Sequence, residues 1–298
     1  MLLGSSFLLF CMIYCCQSGL GIGQQLNQNG LRILEQQTCG IFTRIKVING
    51  HEVKLGSRPW MALLLLRSDT EEKFACGGTL ISERFILTAA HCLSRYQLVS
   101  VRLGEHKIST DSDCKSTGSI IKCSPPVEDI NVERIFLHED YSRFTGHNDI
   151  ALIKLARAVE YKQHIKPICL PINEELQQQT DSQENFIVTG WGITENGTAS
   201  DVLMETMIQM RNRQACSRYF VREIIETQLC VGDLVSDSCR GDSGGPLLYP
   251  AEYLTKQRFV QFGIVSYGAI SCGNGYPGVY TKVSSFMPWI TNILGTSS

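Results

Sequence analysis

The sequence predicts an all-β protein whose strands form a sandwich or barrels. Three observations carry that reading: short β-rich runs recur from Val47 onward, Gly, Pro, Asn and Asp clusters separate them at strand-and-turn intervals, and only one convincing helical periodicity is present. The runs are, in order, Trp60 to Leu66, Phe85 to Thr88, Ser100 to Leu103, Ile150 to Leu155, Asn185 to Thr189 and Phe259 to Ser266. The helix is C-terminal. Pro288 fits a first turn after Ser284 and Ser285, and Phe286, Trp289, Ile290, Ile293 and Leu294 recur at i, i+3, i+4, i+7 and i+8, an apolar stripe to lay on the strands. Residues 20–46 are rich in Gln, Asn and Gly and show neither strand alternation nor a helix long enough to matter, so they read as a leader and not as a domain. There is no repeat of ~20 to 50 residues and no low-complexity tract.

Composition narrows the function classes. Of 298 residues 43% are apolar and 19% charged, and 27 Lys+Arg against 29 Asp+Glu give a net charge of −2. That is too apolar for a disordered chain, and with no basic block it lacks the electrostatic footprint of a nucleic-acid binder. Leu2 to Tyr14, followed by Cys15 and Cys16, carries no charged side chain and gives way to Gln17-Ser18-Gly19. The run is shorter than the ~18 apolar residues of a membrane anchor, so residues 1–20 are assigned as a signal peptide, with cleavage near 18 to 23 and a signal anchor as the rival. The mature chain is then secreted, with no membrane span. Three of thirteen cysteines (Cys11, Cys15, Cys16) leave with the signal, and the remaining ten suit an oxidising compartment and five bridges. Zinc-finger spacing is absent and the six histidines are scattered, so no metal is expected.

Three segments carry the chemistry. Leu87-Thr88-Ala89-Ala90-His91-Cys92, His147-Asn148-Asp149-Ile150-Ala151-Leu152 and Asp237-Ser238-Cys239-Arg240-Gly241-Asp242-Ser243-Gly244-Gly245-Pro246 place a His, an Asp and a Ser in that order, far apart in sequence. Acyl transfer needs those three types together: a serine hydroxyl is a poor nucleophile until an imidazole takes its proton, and the imidazole needs a carboxylate to fix its tautomer. Singly, each has a bland reading as a structural His, a turn Asp or a loop Ser. Jointly, three independent strings match one pattern in one order.

From Val47 to its end the chain resembles the trypsin-like serine proteases of the chymotrypsin fold. The resemblance implies two six-stranded antiparallel β-barrels with a C-terminal α-helix, in a protease domain spanning 47–298. It also implies roles known in that family: His91 as general base and acid, Asp149 as its orienting carboxylate, Ser243 as nucleophile, and the backbone N–H groups of Gly241 and Ser243 as oxyanion hole. Asp237, six residues before Ser243, matches the base of the specificity pocket and implies cleavage after Arg or Lys. Ser266-Tyr267-Gly268 and Gly278 match the pocket walls. Tyr267 replaces the more usual Trp, and Pro277 argues against sodium dependence.

Lys46-Val47-Ile48-Asn49-Gly50 resembles the family's activation junction. Cutting after Lys46 frees the Val47 amine to pair with Asp242, a switch between zymogen and enzyme, with Arg44 as a competing cut. By resemblance Cys76 pairs with Cys92, Cys216 with Cys230, and Cys239 with Cys272. Two pairs remain: Cys39 with Cys169 would tether the cleaved leader (21–46), as in cascade proteases, and Cys114 with Cys123 would staple a surface loop, a feature resembling arthropod haemolymph clip-domain proteases. A clip domain needs six cysteines and this leader has one, so the chain reads as a clip-less relative. Asn196-Gly197-Thr198 is the only glycosylation sequon. No cofactor is required. Glu105 opens a loop that binds calcium in some relatives, but the insertion around Cys114 to Cys123 is read as disrupting the second carboxylate, so calcium is not expected. The expected partners are protein substrates, an upstream activating protease and serpin-type inhibitors, acting on a monomer. The rivals are a pseudoprotease serving as a binding module, which the intact triad and Gly241 disfavour, and a digestive trypsin, which Cys39 disfavours.

Overall fold

A computed structural model describes residues 25–41, 50–194, 197–232, 241–268 and 276–297. The signal segment, Lys46, Val47, Asn196, Asp237, Cys239 and Cys272 lie outside the described residues.

Helix α1 (Gln28–Gln36) precedes β1 (His51–Glu52), β2 (Met61–Arg67), β3 (Glu72–Ser82) and β4 (Phe85–Thr88). Helix α2 (Ala90–Leu93) and β5 (Gln97–Leu103) lead to a hairpin, β6 (Cys114–Thr117) and β7 (Ile120–Cys123), then β8 (Glu128–Ile130), β9 (Val132–Leu137) and β10 (Ala151–Leu155). The second half holds α3 (Glu174–Ser182), β11 (Asn185–Gly190), β12 (Met204–Arg211), α4 (Arg213–Phe220), β13 (Gln228–Val231), β14 (Pro246–Tyr253), β15 (Lys256–Tyr267) and β16 (Gly278–Lys282). A 3-10 turn then runs into α5 (Met287–Ser297).

Two large antiparallel sheets result, besides the two-stranded β6–β7 hairpin. One runs β8-β5-β2-β3-β4-β10-β9; the other runs β1-β12-β11-β14-β15-β16-β13 and closes through β12 and β13 into a six-stranded barrel with β1 on its outside. The first sheet curls without a ladder between its end strands β8 and β9 among the described residues. Short apolar runs such as Phe85-Ile86-Leu87-Thr88 are buried on both faces, which explains their continuous hydrophobicity. The halves share one core: the Trp60 and Phe259 rings lie 5.5 Å apart, and the buried Thr79 hydroxyl donates to Gln261 Oε1 at 2.7 Å. The C-terminal helix lies where the periodicity put it, with Phe286, Ile290, Ile293 and Leu294 buried and Trp289 half-buried.

The leader departs from its sequence reading, because residues 28–36 form a helix docked on the catalytic unit. Asn27 caps it, its Oδ1 accepting from the N–H groups of Asn29 and Gly30. Nine residues are too few for a stable isolated helix, so packing against α5 holds it, and that packing is what local sequence conceals. Leu34 is buried, and Gly30 sits so close to α5 that a Cβ there would lie 1.9 Å from the Thr291 carbonyl oxygen. Tyr253 donates to the Leu34 carbonyl (3.2 Å), and Tyr161 to Gln37 Oε1 (2.8 Å). Burial pushes both phenols up from their ordinary range, so they remain protonated donors. Beyond the helix, Gly40 N–H donates to Pro167 O and Gly40 O accepts from Phe259 N–H, both at 2.8 Å, and Cys39 is bonded to Cys169. Bridges also join Cys76 to Cys92, Cys114 to Cys123 and Cys216 to Cys230.

Candidate active site

His91 enters the site on α2, one turn of helix immediately after β4, and the Cys76–Cys92 bridge bolts that turn to β3. The Asp149 carboxylate meets it twice: Oδ1 accepts the His91 backbone N–H and Oδ2 faces ring Nδ1, each at 2.8 Å. With Nδ1 engaged by a carboxylate, the neutral ring keeps its proton there and presents Nε2 as a base. The His91 side chain is 26% exposed and that of Asp149 only 3%, so the dyad offers one edge of the imidazole to a ligand and hides its anion.

A buried carboxylate needs donors to offset the loss of water. Besides His91, the Ser266 hydroxyl donates to Asp149 Oδ2 at 2.5 Å, and Thr281 Oγ1 donates to the Asp149 carbonyl at 2.8 Å. Asn148, just before it, adopts a left-handed backbone (φ 54°), and its side chain donates to Asp140 O at 3.0 Å. Asn tolerates that conformation better than other residues, and it turns Asp149 inward at the start of β10.

Ser243 lies on a turn pinned between the two sheets. Its carbonyl accepts from Gly77 N–H (2.8 Å), Gly244 N–H donates to Val265 O (2.9 Å), and Gly245 N–H donates to Asp242 O (2.8 Å). Gly77 follows Cys76, the cysteine tied to Cys92 beside His91, so β3 carries Ser243 and His91 on one stretch of backbone. Gly241 and Gly244 have φ of 103° and 78°, and a Cβ would fall 2.9 Å from Gly192 Cα and 2.2 Å from Thr88 Oγ1 respectively. These are the positions where only glycine fits. Among the described residues no hydrogen bond joins Ser243 to His91; such bonds commonly tighten when substrate arrives. The Asp242 carboxylate accepts from Gly192 N–H at 2.9 Å and nests against Gly190 and Gly192, where Cβ atoms would meet its oxygens at 2.1 and 2.4 Å.

The residues expected to wall the pocket, Ser266, Tyr267, Gly268 and Gly278, adjoin one another at the β15–β16 ladder, where Tyr267 pairs with Val279 and a Cβ on Gly268 would lie 3.8 Å from Gly278 Cα. Burial raises the Tyr267 phenol. Gly146, Phe220 and Arg222 surround its ring: a Cβ on Gly146 would lie 2.5 Å from Cε1, and the Phe220 ring packs edge-on at 5.2 Å. None of these three, nor Thr281, is flagged by a sequence motif, because each reaches the site from a distant segment. Near the site Cys76, His91 and Cys92 converge, but the two sulfurs are bonded to each other and are not free to hold a metal.

One sequence expectation is corrected. The loop after Glu105 does retain a second carboxylate: Glu105 Oε1 and Asp113 Oδ2 both accept from His106 N–H, at 2.9 and 3.0 Å. Burial first, and then the Asp113 charge, pushes the Glu105 carboxyl up, while Arg102 bridges Glu105 at 3.2 Å and counters it. Cys114 to Cys123, ten residues closed by their own bridge, form a hairpin that begins just after Asp113.

A family model described as Trypsin matches residues 47–290. The chain belongs to the trypsin family. It is 46% identical over 293 residues to a Drosophila melanogaster protein named Serine protease grass, covering 95% of this chain and 77% of that one. It is 39% identical to Phenoloxidase-activating factor 3 of Holotrichia diomphalia (93% and 79% covered), and 40% identical to the CLIP domain-containing serine protease HP8 of Bombyx mori (90% and 75% covered). Among solved structures it resembles the Drosophila Grass clip serine protease of the Toll pathway, with a TM-score of 0.85 and 47% identity over 92% of this chain and 80% of that one. This trypsin-family chain is a serine endopeptidase, similar to clip-domain serine proteases.

Proposed function

We propose that the chain is a secreted zymogen of an extracellular proteolytic cascade, activated by cleavage after Lys46 and cutting proteins after Arg or Lys. The observation that carries the reading is the buried Asp149, which holds both the backbone N–H and the ring of His91, beside the glycine-framed turn of Ser243. In this reading His91 Nε2 takes the Ser243 proton as Oγ bonds to the scissile carbonyl carbon. The oxyanion formed is held by the N–H groups of Gly241 and Ser243, where one donor is worth about 3 kcal/mol of transition-state stabilisation. His91 then gives the proton to the leaving amine as the C–N bond breaks, and water, deprotonated by His91, hydrolyses the ester. Asp149 stabilises the imidazolium throughout.

Asp237 would supply the charge at the pocket base, between the walls that Gly268 and Gly278 leave open. The cradle of Gly190 and Gly192 around Asp242 supports the activation step, since it holds in a fixed position the carboxylate with which a freed Val47 amine would pair. The Cys39–Cys169 bridge and the docked α1 support a leader that stays with the enzyme after cleavage. Glycosylation at Asn196, control by serpin-type inhibitors and a monomeric state complete the proposal. No cofactor enters the chemistry.

Asp237→Ser tests the specificity. It should erase most of the preference for Arg and Lys while leaving slow hydrolysis after other residues, and retained selectivity would sink the pocket assignment. Electrophoresis of the cleaved protein with and without reductant tests the tether: one covalent species that separates only on reduction is expected, and separation without reductant contradicts it.

A further inference from the structure

We propose that Arg222 is a second specificity determinant, selecting substrates with an acidic side chain two or four residues before the scissile bond. The inference rests on the proposed reading that Ser266 to Gly268 lines the substrate. Strand β15 outruns its neighbour β14, whose last register pair is Pro246 with Ile264, followed by Gly244 N–H to Val265 O and Val265 N–H to Gly245 O. Beyond Val265 that edge has no backbone partner among the described residues, while the other edge pairs Tyr267 with Val279. An open edge is a template for an extended chain. A substrate whose reacting residue lies opposite Ser266, next to Asp149, sets its preceding residue opposite Tyr267. Directly opposed side chains share a face, and alternate residues return to it. The second and fourth residues before the cut therefore share the face of Tyr267.

Arg222 is the cation on that face. Its guanidinium lies 5.2 Å from the Tyr267 ring centre and reaches the Thr145 carbonyl at 3.5 Å. The Thr145 carbonyl and the Tyr267 phenol together engage only part of its five N–H donors. Exposed Arg222 has no carboxylate partner among the described residues, so its charge is open to a ligand. Its placement is imposed by the backbone. Val221, the C-cap of α4, is a β-branched residue in the left-handed region (φ 51°, ψ 41°), a conformation that persists only where surroundings demand it, and it turns the chain so that Arg222 falls on Tyr267. Phe220 packs edge-on against the same Tyr267 ring that Arg222 covers.

The test uses the full chain cleaved after Lys46 and peptide amides ending in Arg that carry Asp or Lys at each of the three places before it. Wild type should favour Asp over Lys about fivefold at the second or fourth residue, the size expected of one exposed pair. The preference should flatten in Arg222→Ala, reverse in Arg222→Glu and weaken in 1 M NaCl. Equal ratios in all three proteins, no preference in wild type, or a preference confined to the third residue would overturn the proposal. Competition by the matched peptide acids gives the same ratios without turnover. The same peptides with Ala for the final Arg report on Asp237 alone. Equal hydrolysis of the Ala-ending and Arg-ending sets sinks the pocket reading, while the Arg222 ratios, taken between peptides with one ending, stand or fall independently of it.

Discussion

Gly30→Ala should undock the leader helix and destabilise the whole protein. Alanine gains about 1 kcal/mol of helix propensity over glycine, so an exposed glycine would favour the change. Gly30 faces α5, however, and its Cβ would lie 1.9 Å from the Thr291 oxygen and 2.6 Å from the Thr291 carbonyl carbon. Those are backbone atoms that no rotamer can move, so α1 must lift away. The loss includes the burial of Leu34, 1% exposed and worth about 2 kcal/mol. It also includes the hydrogen bonds from Asn27 N–H to Thr291 Oγ1 and from Tyr253 to Leu34 O, about 1 kcal/mol each. The net is about 3 kcal/mol, or a fall in melting temperature of about 5 to 10 °C for a domain of this size. Thermal unfolding followed by circular dichroism measures it. In a Cys39→Ser, Cys169→Ser background, the cleaved leader should co-elute with the catalytic unit by size exclusion and be released when Gly30→Ala is added. A Gly30→Ala protein that melts at or above wild type, with its leader retained, would refute the packing argument.

Ser266→Ala removes one donor from Asp149 Oδ2 and leaves both His91 contacts. It should lower kcat about ten- to a hundredfold with KM nearly unchanged, the worth of one hydrogen bond to a charged group, and an unaltered kcat would remove Ser266 from the positioning of Asp149. Glu128 accepts from Lys162 Nζ and Arg157 at 2.7 Å each, and these bonds, that from Lys162 first, hold its carboxyl below the ordinary range. A lowered folded value means stability present above the unfolded value of roughly 4.3 and lost as pH falls through the folded one. The stability deficit of Glu128→Gln should therefore be constant near neutrality and vanish in acid. A deficit that grows toward acid contradicts the sign.

The strands of the closed barrel and of the other sheet were legible because they are short apolar runs bounded by turn residues, so Phe85 to Thr88 and Asn185 to Thr189 could be placed from local pattern alone. The segments proposed as catalytic stand out in the sequence because glycine at 241 and 244 and the motif around Asp149 are backbone requirements written locally. What stayed hidden is non-local. Thr281 supports Asp149 from 132 residues away, Asp113 joins Glu105 across a loop, and α1 owes its existence to α5. Nine residues are a short window inside a Gln- and Asn-rich segment, and Gly30, which reads as a helix breaker, is in fact the point of closest contact. Arg222 and Val221 were likewise silent, since a strained cap announces itself only in backbone angles.

The proposed enzyme is a serine protease switched on by a new Val47 terminus. The most direct test is hydrolysis of an Arg-ending peptide amide before and after controlled cleavage, with N-terminal sequencing of the product and Ser243→Ala alongside. Activity that appears with a Val47 terminus and is absent from the Ser243 variant is the predicted result. An inert protein with a confirmed Val47 terminus, or activity that survives Ser243→Ala, would contradict it.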